Sequence, residues 1–126
     1  MNFSSRLTQA LILASLLSSC AHQAPGPRID ARSGINTQEL VKRFGYPKCV
    51  VSVALSQEEA VLSAALVGAP HINQRKDWVE LTNMMIPGDE LRHVWCNPYQ
   101  GPGGVDLIGL FRGTHMIADV HTVFVD

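Results

Sequence analysis

Hydrophobic and polar positions alternate with two different periods along this chain, and the change between them marks its elements. Residues 34–47 read GINTQELVKRFGYP, in which Leu40, Val41 and Phe44 fall on one face at helical spacing. Asn36 is placed to accept from the Glu39 amide, Glu39 to reach back to Asn36, and Ile35 to pack against Leu40. Gly45 suits the left-handed position after the last turn, and Pro47 prevents continuation. The stretch Cys49 to Leu55 is compact and β-branched, which predicts a short strand. Ser56 with Glu59 forms a second capping signal, so a helix is expected through Ala60 to Val67 and up to Gly68. Its apolar residues run almost all the way round, so it is either deeply buried or docked against something.

Beyond a loop at residues 69–76, four segments read as extended: Trp78 to Met85, Leu91 to Asn97, Val105 to Arg112 and Met116 to Val125. Pro87-Gly88-Asp89 and Gly113-Thr114 have the composition of hairpin turns, and residues 97–104 form a longer loop rich in Gly and Pro. This order predicts one α+β domain over residues 34–126, with one or two short helices packed on one face of an antiparallel meander of three to four strands. In the last strand Met116, Ala118, Val120, Thr122 and Phe124 share a face, the expected core side.

The first nineteen residues follow a different pattern: one basic side chain, Arg6, then an apolar run, then small residues. The run is about ten residues, half of what a membrane-spanning helix needs. Its ending, Leu17-Ser18-Ser19-Cys20, resembles the lipobox of bacterial lipoprotein signals. That resemblance implies cleavage before Cys20, lipidation of the Cys20 thiol, and, with Ala21 next, an outer-membrane location facing the periplasm. Residues 21–33 carry Pro25, Gly26 and Pro27 with almost nothing apolar, the composition of a tether.

Removing the signal with Arg6 leaves nine basic against eleven acidic side chains. This balance gives no electrostatic footprint for nucleic acid. It also leaves Cys49 and Cys96 as the remaining thiols. In an oxidising compartment they are candidates for a disulfide, which would close a loop of roughly 48 residues and stabilise by roughly 4 kcal/mol. Two separate buried thiols are the alternative.

The first helix, through Gly34, Ile35, Asn36, Glu39, Leu40, Phe44, Gly45 and Pro47, is similar to the opening motif of the BamE or SmpA/OmlA family of small outer-membrane lipoproteins. What that resemblance implies is a small α+β domain with an antiparallel three-stranded sheet, used for protein contacts.

Candidate chemistry is sparse. His93, with His115, Asp119 and His121 of the last strand, could gather on the solvent face of the sheet, but a zinc site needs three or four ligands with supporting partners, and polar residues facing water account for them as well. No metal, cofactor or catalytic residue is expected, because no nucleophile, metalloprotease or phosphate-loop motif stands out. Among the aromatic residues, Trp78 and Trp95 are expected in the core. Tyr99, with Pro98 and Gln100, is the candidate for partner contact. The expected function is a non-enzymatic, lipid-anchored scaffold or adaptor for an envelope protein complex. The alternative is a tethered periplasmic binder or inhibitor of a secreted enzyme or small ligand.

Overall fold

The computed structural model describes residues 34–97 and 103–123. The signal, Cys20, the tether, the contact candidates Pro98, Tyr99 and Gln100, and the last residues of the expected final strand lie outside them.

Helix α1 spans Thr37–Phe44 and strand β1 Lys48–Val51; helix α2 spans Gln57–Leu66. A 3-10 turn at Ile72–Gln74 leads into helix α3, Lys76–Asn83. Strands β2 (Glu90–Asn97), β3 (Val105–Arg112) and β4 (His115–Val123) complete an antiparallel sheet in the order β1-β2-β3-β4. The fold is therefore α+β with a meander sheet.

Local signals explain most of these boundaries. Gly45 ends α1 in the left-handed conformation at φ 75° and donates its N–H to the Val41 carbonyl. Ser56 and Glu59 form the reciprocal capping box of α2. The box expected at α1 does not form: Asn36 accepts from the Gln38 amide instead, and Glu39 turns away to bond His115. Strand β1 is also shorter than expected. At its end the Ser52 hydroxyl, rather than a backbone carbonyl, accepts the His93 amide at 2.8 Å, and the chain departs before a last isolated bridge between Leu55 and Leu91.

The largest correction is Trp78 to Met85, expected as a strand and folded as α3 with its following turn. Trp78 and Leu81 are both buried, the i and i+3 spacing of a helix, whereas Val79 is exposed. The Asp77 carboxylate accepts from the Trp78 amide at 2.9 Å and opens the first turn. Pro87-Gly88-Asp89 consequently joins α3 to β2 rather than two strands, while Gly113-Thr114 is the hairpin turn between β3 and β4.

A second correction concerns the layers, because helices cover both faces of the sheet rather than one. Leu40 of α1 packs with Val51, Val94, Leu107 and Phe111 on one face; Ala60, Ala64, Trp78 and Leu81 pack with Leu91, Ile108 and Leu110 on the other. Strand β3 is thereby buried on both sides, which accounts for its nearly unbroken apolar run.

The expected single core face of β4 is divided between these layers. Phe111 pairs with Met116 but Leu110 with Ala118, so the intervening residue is a bulge and the alternation slips by one. Met116 accordingly packs on the α1 side and Ala118 and Val120 on the α2 side. A glycine makes this crossing possible: a Cβ on Gly109 would lie 2.6 Å from Met116 Sδ and 2.9 Å from the Phe111 ring.

Cys49 and Cys96 are directly opposed across β1 and β2, with Cα atoms 4.1 Å apart, and they form a disulfide on the α1 face. No described helix is long and apolar enough to cross a membrane.

Candidate functional site

The most developed polar arrangement lies beneath α2. Alternation along β2 turns Leu91, His93 and Trp95 toward that side, and along β3 it turns Asp106, Ile108 and Leu110 the same way. His93 pairs in register with Ile108 and Trp95 with Asp106, so His93 and Asp106 are diagonal neighbours on adjacent strands. Ser63 descends from the sheet-facing side of α2. The result is a row in which Ser63 Oγ lies 2.5 Å from His93 Nδ1 and His93 Nε2 lies 2.6 Å from Asp106 Oδ1.

Thr122 extends the row, since its hydroxyl is 2.5 Å from the same Asp106 Oδ1 and 3.0 Å from the Asp106 carbonyl. It can reach because a second register shift, between the Asp106–Val123 and Leu107–His121 pairs, leaves it unopposed. At the other end Ser52 accepts the His93 amide and gives its carbonyl to Arg92 at 2.9 Å. Ser52, Ser63, Arg92, His93, Asp106 and Thr122 are all buried.

The protons in the row follow from valence. An ionised Asp106 only accepts, so His93 Nε2 carries the proton facing it. With Nε2–H directed at Asp106, Nδ1 is the ring nitrogen that faces the Ser63 hydroxyl. The order Ser, His, Asp is that of a nucleophile with its base and orienting acid. Its placement differs from that role. Ser63 is only 5% exposed, on the inward side of a helix packed against the sheet, and the groove beside α2 is lined by none of the three. The row joins α2 to the sheet through the Ser63–His93 hydrogen bond, a lock on its position, and each buried polar atom in it has a partner.

What α2 presents outward is apolar. Leu62 and Leu66, one turn apart, are 59% and 64% exposed, and Ala65 between them is half-buried. An open groove of about 470 Å³ runs between α2 and the region of α3, lined by Gln57, Glu58, Val61, Leu62, Asn73 and Trp78. This volume lies within the range of ligand-binding clefts, roughly 300–1,000 Å³.

The histidines expected near one another are separated. His93 is buried on the α2 face rather than solvent-facing. On the opposite face His115 pairs with Glu39 at 3.1 Å, and His121 lies 3.5 Å from Asp119 while its ring meets Phe44 edge-on. Asp119 also binds Arg43 at 3.1 Å, so these groups fasten α1 to β4. Among the described residues, no three His, Cys, Asp or Glu side chains gather to hold a metal ion.

Trp78 is in the core as expected, but Trp95 is 41% exposed. Its pattern position faces the α2 side, as for His93, two residues further along β2. Leu62 and Leu66 were foreshadowed by the all-round apolarity of α2. The Ser63–His93–Asp106 row was not, because a serine in a helix and a histidine and aspartate in separate strands share no sequence spacing.

No family model matches this chain, and comparisons with curated proteins and with solved structures also yield no match.

Proposed function

We propose that this protein is a lipid-anchored adaptor of the cell envelope, tethered through Cys20 and presenting the outer face of α2 to a protein partner. The observation that carries the reading is the pair Leu62 and Leu66, two large apolar side chains left in water on a helix fixed from below by the buried Ser63–His93 hydrogen bond. Isolated exposed leucines are ordinary, but a pair at i and i+4 beside an open apolar groove forms a surface suited to docking. The Cys49–Cys96 bridge supports an oxidising compartment, where such bonds persist. The Leu17-Ser18-Ser19-Cys20 signal supports anchoring, and a tether of thirteen residues reaches roughly 20 Å from the membrane.

Two measurements test the two halves of this reading. Cells fed radiolabelled palmitate should label the wild-type protein and not Cys20→Ser; equal labelling of both rejects the anchor. For the adaptor role, the full chain purified from detergent-solubilised membranes should bring down a specific partner that Leu62→Asp with Leu66→Asp loses. Retention of the partner by the double variant would place docking elsewhere.

A further inference from the structure

The groove beside α2 carries one charge among its lining residues, the Glu58 carboxylate, and none of the ion pairs between described residues uses it. Glu58 belongs to the first turn of α2 and stands one turn before Leu62 on the exposed side. The outward stripe of this helix therefore reads acid, leucine, leucine from its N-terminal end, at positions 58, 62 and 66.

We infer that the occupant of this groove is a short amphipathic helix of the partner protein, lying antiparallel to α2, with apolar residues one turn apart and a lysine or arginine in its last turn. The inference rests on the adaptor reading and specifies its ligand. A stripe two turns long and continuous with the groove suits an elongated apolar ridge better than a compact small molecule. The unpaired Glu58 selects a cation over an acid, since a like charge brought to it is repelled. The direction follows from the same residue. An antiparallel helix sets its negative C-terminal end beside the positive N-terminal end of α2, and a cation in a last turn is already favoured by its own helix dipole.

Panning the full chain against a displayed library of helix-forming peptides of about fourteen residues tests this. The expected winners carry Leu, Met or Phe at i and i+4 and Lys or Arg in the last turn. Measured by fluorescence anisotropy, Leu62→Asp should weaken their binding at least tenfold and Glu58→Gln about threefold, the size of an exposed ion pair. Glu58→Lys should shift the preference to peptides with Glu in that turn. All three substitutions are at exposed positions, and circular dichroism verifies that each variant is folded. An empty selection, winners without a cation preference, or winners indifferent to Glu58→Lys overturn the inference. Self-association abolished by Leu62→Asp would also overturn it by making a second copy the occupant. If the solubilised-membrane partner is lost in the leucine double variant while peptides show no charge preference, the adaptor reading survives and the helix assignment fails.

Discussion

His93 has both ring nitrogens engaged, and this sets how a substitution there should behave. His93→Phe keeps the apolar bulk but leaves the buried Asp106 carboxylate with Thr122 as its remaining side-chain partner. Removing one partner of a buried charge costs about 3–5 kcal/mol, whereas Ser63→Ala, which removes a neutral hydroxyl, should cost about 1 kcal/mol. Urea denaturation of the two variants should show this inequality, and equal losses would mean that the His93–Asp106 contact contributes no more than a neutral hydrogen bond. A second residue-scale prediction concerns acid. The Arg112 guanidinium, binding Asp89 with two nitrogens, and the Ile86 amide hold the Asp89 carboxyl at about 2, below its ordinary 3.8. Because the folded value is the lower one, this stabilisation is complete above the unfolded value and is lost as pH falls through about 2. The stability gap between wild type and Arg112→Ala should accordingly be constant near neutrality and narrow below about pH 4. A gap independent of pH down to 2 would contradict the pairing.

At the scale of elements, Arg75 joins two pieces that no backbone pairing connects. It binds the Asp77 carboxylate with two nitrogens at the start of α3 and donates to the His121 and Thr122 carbonyls of β4, an outer strand of the sheet. The side chain thus covers acceptors that an unpaired strand edge would offer to another chain. Arg75→Ala should cost about 1–3 kcal/mol and accelerate hydrogen exchange in the first turn of α3. Unchanged exchange there would show that Asp77 opens the helix unaided. The legibility of elements followed how local their causes are. The ends of α2 and the β3–β4 hairpin depend on residues within a few positions, so Ser56, Glu59, Gly113 and Thr114 announced them. Helix α3 was hidden because Trp78, Val79 and Thr82 favour strands intrinsically, and only the i, i+3 burial of Trp78 and Leu81 against the sheet decides otherwise. The bulges of β4 were equally silent, since both arise from pairing with β3. For the candidate site, the outward face of α2 was readable and its lock was not.

For the whole molecule, a four-stranded sheet faced by helices on both sides is held by different means on each side. On the α2 side the fastening is a hydrogen-bonded row from Ser63 to Thr122; on the α1 side ion pairs tie the helix to β4, and the Cys49–Cys96 bond ties β1 to β2 beneath it. The bridge spans a sequence separation of 47, for which chain entropy gives about 4 kcal/mol. Cys49→Ala with Cys96→Ala should lose stability on that scale, read from urea midpoints, and a change below about 1 kcal/mol would show that the unfolded chain is already restricted there. The position of the bridge also has a mechanical meaning. A pull applied from the N-terminal side reaches α1 first and then β1, which lies at the margin of the sheet. Residues 34–48 can be drawn out in that direction, but at Cys49 the load passes through a covalent bond into β2, an inner strand. Under tension from that side the domain should therefore yield by one short, defined extension and then hold, leaving the face carrying Leu62 and Leu66 in place.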